Sequence, residues 1–242
     1  MSVDWLISET RDLDQATMRQ IERETPAGDR SLDRGAHGSP RLAVLLRHVI
    51  CHDVQKLFGA AEIRLDALVV SGRGRPDRPD SFYMPGTFRF SDIRDHQQLP
   101  IDPNHGLLIF NGKPQHFLDI FIVASRDRQD SDDLATLMRR ALSDDQTQGA
   151  VSALCALATA TPVAAAIPAG ITAAAALGDL AYRVIRSLSD KTIGMYRGSF
   201  LQYRDRFGVG RHPAGDSRFI ENNLEFWFET VLDHDSDASH SN

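Results

Sequence analysis

The chain has 242 residues, 25% of them charged, and a formal net charge of −6 at pH 7. Its basic residues are interspersed with acids rather than gathered into a patch, which excludes a general nucleic-acid binder. The length allows one large domain or a domain with a small appendage, and two cysteines are too few for a disulfide framework.

The opening residues MSVDWLISETRDLD carry acids where a signal peptide has basic and then apolar residues, so a reduced, cytoplasmic setting is expected. Residues 1–58 read as a helical N-terminal segment. A helix over Asp14 to Glu24 is followed by the polar, glycine-rich linker AGDRSLDRGAHGS. Ser39 and Pro40 make a cap and first turn for a second helix, PRLAVLLRHVICHDVQKLF, with Leu42, Leu45, Leu46, Val49 and Val54 on its apolar face. His48, Cys51 and His52 then share a helical face, but neither a third zinc ligand nor the glutamate of an HExxH protease accompanies them.

After Gly59 the period changes to alternation. In EIRLDALVV, residues Ile63, Leu65, Ala67 and Val69 face one way and Glu62, Arg64 and Asp66 the other, the pattern of a half-buried strand. The polar loop SGRGRPDRPD separates it from SFYMPGTFRF, where Pro85 marks an edge or bend. GLLIF and HFLDIFIVAS are further strands. An acidic stretch, RDRQDSDDLATLMRRAL, follows, with Asp130 or Ser131 capping a helix that begins near Asp132 and carries Arg139 and Arg140 towards its end.

From Gln146 to Gly178 no residue is charged and alanine dominates. Pro162, Pro168 and Gly170 interrupt the run, so two helical arms, Gly149 to Thr161 and Pro168 to Ser187, are expected around the bend VAAAIP. Leu154, Leu157, Val163, Ile167, Ile171 and Leu177 are its candidate contact residues for a membrane or partner. Such a hairpin either covers a sheet face or, once released, engages a membrane surface or a partner protein through residues 146–178; its small residues also suit oligomer contacts. Strands resume with TIGMYRGSFLQYRD, and a glycine-rich loop, RFGVGRHPAGDS, precedes NLEFWFETVL. There Leu224, Phe226 and Phe228 alternate with polar neighbours, and a common interior of Ile63, Leu65, Val69, Phe121, Val123, Phe226 and Phe228 is expected. Residues 233–242 are polar and read as a disordered tail.

FLDIFIVASRDRQDSDDL resembles the strand and calcium loop of a C2 domain, with Asp127 and Asp133 at a matching spacing and Ser125 where the family's first loop aspartate would stand. The resemblance covers residues 61–134 and equates GRGRPDRPD with the other ligand loop. The run of strands broken by one helical block reads as an antiparallel β-sandwich over residues 59–232, α+β in class, with a helical insertion at 131–188 that is not a C2 feature; the resemblance makes that sandwich C2-like. It also implies docking on phospholipid or protein, and a Ca2+ site drawn from Asp77, Asp80, Asp127, Asp130 and Asp133, short of one carboxylate because of Ser125. Calcium takes six to eight oxygens, so carboxylates from two loops would have to converge.

Together these features suggest a non-enzymatic binding or effector module, cytoplasmic and recruited to a membrane or partner by its hairpin. One use of such a design is a toxin-like component of a bacterial system, inactive until the hairpin or N-terminal piece is released. The competing reading is a hydrolase with a site between the acidic loop at 127–133 and His212.

Overall fold

The computed structural model of the chain describes residues 40–56, 58–75, 78–127, 131–141, 149, 152–156, 163–188 and 191–233. In chain order the strands are β1 (Leu42–Cys51), β2 (Ala61–Ser71), β3 (Tyr83–Ile93), β4 (Gln97–Gln98), β5 (Leu107–Gly112), β6 (Phe117–Arg126), β7 (Thr192–Leu201), β8 (Gly210–His212), β9 (Phe219–Glu221) and β10 (Leu224–Leu232). Helix α1 (Leu134–Ala141) and helix α2 (Val163–Leu188) lie between β6 and β7, and the single turn α3 (Gln202–Asp205) follows β7.

The class is α+β, with two antiparallel sheets. One sheet runs β4-β1-β10-β8, with β5 also paired to β1 and β9 to β10; the other runs β3-β2-β6-β7. Their facing sides share a core. Leu42, Val44, Leu46, Phe226 and Phe228 come from the first sheet; Ile63, Leu65, Val69, Leu118, Ile120 and Ile122 come from the second. A second core lies on the other side of the second sheet, where Leu68, Val70, Phe121 and Val123 meet Leu134, Met138, Leu154, Ala174, Leu177 and Ile185 of the helical layer. The second sheet is therefore covered on both faces. At one end the two sheets come close: a Cβ added to Gly194 of β7 would lie 2.3 Å from the Glu221 carbonyl oxygen, so only glycine lets β7 pass β9 there.

Several expectations are corrected. The helix expected over residues 40–58 is instead β1, the strand paired with both β5 and β10. A register shift between Leu46 and His48 explains the misreading. Leu42, Val44 and Leu46 alternate inward, and after the bulge Val49 and Cys51 do so in the opposite phase, which leaves apolar residues at helix-like spacing. Strand β2 is buried on both faces rather than half-buried, with Arg64 2% and Asp66 0% exposed. Phe121 and Val123 face the helical layer, not the core shared by Ile63, Leu65, Val69, Phe226 and Phe228. Strand β6 is apolar on both sides, so its alternation carried no phase. The bend VAAAIP is helical, and Pro168 lies inside α2. Strand β3 is an edge strand, as Pro85 suggested, and the inward register of β10 is as expected. The helix expected over Asp14 to Glu24 lies outside the described residues.

Candidate functional site: a charged face beneath the helical layer

The covered face of the second sheet is not uniformly apolar. Arg64 and Asp66, two residues apart on β2, project to the same side. The Arg64 guanidinium donates to both Asp66 oxygens at 2.6 and 2.9 Å, to Ser131 Oγ at 2.9 Å and to the Asp132 carbonyl at 2.7 Å. Thr87 of β3 donates to Asp66 Oδ1 at 2.6 Å and accepts the Leu134 N–H, the first residue of α1, at 2.8 Å. Burial pushes the Asp66 carboxyl up, and its bonds to Arg64 and Thr87 pull it back. A buried charge needs such complete pairing, and here the partners come from the loop that starts the helical layer.

A second ion pair lies further along the same face. Arg197 donates to Asp119 Oδ2 at 2.9 Å, and Ser199 Oγ donates to the same oxygen at 2.8 Å. Above it Asp179 of α2 is exposed as a residue, and partial desolvation of its carboxyl by its surroundings raises it, against the pull of Arg197 and Arg183.

Beside the first ion pair opens a cleft of about 800 Å³, lined by Glu62, Arg89, Ser91, Asp127, Asp133 and Thr136 among others. Arg89 of β3 spans it, donating to Asp127 Oδ2 at 2.9 Å, Asp133 Oδ1 at 2.6 Å and the Ser131 carbonyl at 2.6 Å. The bond to Asp133 raises the Arg89 pKa. Asp127 and Asp133 are thus brought together, around a guanidinium. Ser131 does not cap α1; its Oγ donates to Asp127 Oδ1 at 2.5 Å, and the N–H groups of Thr136 and Leu137 are received by the Asp133 carbonyl. Asp77 and Asp130 lie outside the described residues, and Asp80 belongs to the 3-10 turn Pro79–Phe82 that leads into β3. Among the described residues no three His, Cys, Asp or Glu side chains form a metal-binding group.

His212 is elsewhere. Its Nε2–H donates to the Gly208 carbonyl at 2.6 Å, and its ring packs on Phe200 and Phe228. Thr192 lies opposite Ser125, whereas Phe200 is eight residues further along β7, about 26 Å at strand rise. Asp127 and Asp133 therefore lie towards one end of β7 and His212 towards the other, and among the described residues the cleft lined by the aspartates does not include His212. His48, Cys51 and His52 do not converge either: Cys51 is in the core, where burial pushes its thiol up to about 12.

Of the hairpin residues, Leu154, Ile171 and Leu177 are buried against the second sheet. Val163 and Ile167 belong to the first turns of α2, and Leu157 lies outside the described residues. Among the described residues no helix is long and apolar enough to cross a membrane. Reading the sequence missed Arg64, Asp66, Arg89, Asp119 and Arg197. The usable signal was Asp119 alone within FLDIFIVAS, a charge in a strand otherwise apolar on both faces. No protein-family model matches the chain, and neither a curated protein nor a solved structure was found to be similar to it.

Proposed function

We propose that the chain is a non-enzymatic binding module on a C2-like β-sandwich, and that its helical layer is a detachable cover. Once lifted, the cover engages a partner protein through the apolar stripe that holds Leu154, Ile171 and Leu177. The observation that carries this reading is the polarity of the face beneath the helices. Lifting them would give two ion pairs, Arg64–Asp66 and Arg197–Asp119, back to water. Solvation of those charges offsets part of the cost of uncovering. The contact also leans on small side chains, Ala173, Ala174 and Ala181, which contribute little each at about 25 cal/mol per Å² of apolar area.

The C2-like reading rests on the sequence resemblance of residues 61–134, and the spaced aspartates after β6, Asp127 and Asp133, close on a cation. In this reading the Arg89 guanidinium does the work of a calcium ion, and calcium binds only where Arg89 gives way.

Native-state hydrogen exchange tests the cover. Helices α1 and α2 should exchange through an opening of lower free energy than β2, β6 and β10. Exchange of helices and sheets as one unit would overturn the reading. Co-sedimentation of the opened form with anionic vesicles would reassign the partner from protein to lipid.

A further inference from the structure

We infer that His52 and His96 form a two-imidazole site for a divalent transition metal of the zinc or nickel class, with Glu225 orienting His52. The site lies on the side of the first sheet away from the helices and does not depend on the reading above. Three elements build it, each tied to its neighbour by backbone. His52 directly follows β1, and its N–H donates to the Asn223 carbonyl at 2.8 Å. His96 sits in the turn between β3 and β4 at φ 58°, and its N–H donates to the Cys51 carbonyl at 2.8 Å. Glu225 is the second residue of β10.

The two rings meet at 64°, with their Nδ1 atoms 3.2 Å apart. On its far side His52 Nε2 is 2.9 Å from Glu225 Oε2. An ionised carboxylate only accepts, so His52 carries its proton on Nε2 and its Nδ1 lone pair faces His96. In the metal-free protein His96 Nδ1–H donates to that lone pair. Two nitrogens bound to one metal at about 2.0–2.1 Å stand about 3.0 Å apart in octahedral and about 3.4 Å apart in tetrahedral geometry. The observed separation lies between these values. On binding, His96 moves its proton from Nδ1 to the exposed Nε2, and both Nδ1 atoms become ligands. A carboxylate on the remote nitrogen of a metal-binding histidine is the usual orienting partner.

Asp53 and Asp95 flank the site, but each receives a backbone N–H, from Gln55 at 2.6 Å and Val54 at 2.7 Å, and neither is counted as a ligand. Water completes the coordination, so the metal binds reversibly and imidazole selects zinc, nickel or copper over magnesium and calcium.

The test is calorimetric titration and thermal melting of the full chain with Zn2+, Ni2+ and Mg2+. Zinc and nickel should bind with micromolar affinity and raise the Tm by about 5 °C at a hundredfold excess over Kd; magnesium should do neither. His96→Ala, at an exposed position, should leave the metal-free Tm unchanged and weaken binding at least about tenfold, and Glu225→Gln should weaken it about 10–100-fold. No binding by the wild type at about 1 mM zinc or nickel overturns the site. Unweakened binding by His96→Ala does so too, since it assigns the metal to other histidines. Unchanged affinity in Glu225→Gln overturns the orienting role.

Discussion

Arg64 and Asp66 form an ion pair with almost no solvent access, so the two charges depend on each other. Arg64→Ala leaves Asp66 buried without its partner and should destabilise the protein by about 3–5 kcal/mol, measured by urea denaturation. Arg64→Met with Asp66→Leu should recover most of that loss, because an apolar pair of similar volume removes both desolvation costs. Asp179 gives a second expectation. Its folded-state pKa is raised, so its ionised form costs stability above that pKa, and the cost disappears below the unfolded value of about 3.9. Because the Asp179 residue is exposed, water screens most of this cost, so Asp179→Asn should raise the Tm at pH 7 only slightly and leave it unchanged near pH 3. A lower Tm at pH 7 would mean that Arg183 and Arg197 dominate the carboxyl.

Among the elements, α2 carries its own weak point. Pro168 lies six residues into the helix, where it can donate no backbone hydrogen bond and crowds the preceding turn. Pro168→Ala should stabilise α2 by up to about 3 kcal/mol and slow its hydrogen exchange. If the helical layer acts by lifting, the same variant should bind its partner more weakly while folding better. Proline misled the sequence reading here, since packing of Ile171, Ala174 and Leu177 on the second sheet outweighs the missing bond. The opposite error fell on β1, where a bulge turned alternation into helical spacing. Elements with one apolar face, such as β10, were legible in phase and place. Strand β2 was legible in phase, with Ile63, Leu65 and Val69 on the shared core, but not in the burial of its other face; β6 was legible as a strand but not in orientation. The pairing of Asp127 with Asp133 in the acidic loop was legible from their spacing. The guanidinium between them was not, because Arg89 comes from β3, 38 residues before Asp127.

Across the whole molecule, the two cores should respond differently to equivalent damage. Phe226→Ala empties the core shared by the sheets and should cost about 3–5 kcal/mol, with every strand exchanging faster. Leu177→Ala empties the core under the helices and should cost about 2–5 kcal/mol, with faster exchange confined to α1, α2 and the face of β6. Uniform acceleration by both variants would mean the layers do not open separately.

The place of β1 has a consequence for the timing of synthesis. One edge of this strand pairs with β5, within the first half of the chain, but the other waits for β10, where Leu42 meets Leu232. At about 5–20 residues per second, β1 spends roughly 10–40 s without that neighbour while the ribosome completes the chain. Throughout that interval a strand whose apolar residues are spaced like those of a helix is free to coil. A nascent chain halted before Leu224 should show helical signal at residues 42–51 that vanishes when β10 is supplied in trans, and the arrested product should aggregate through the unfilled edge.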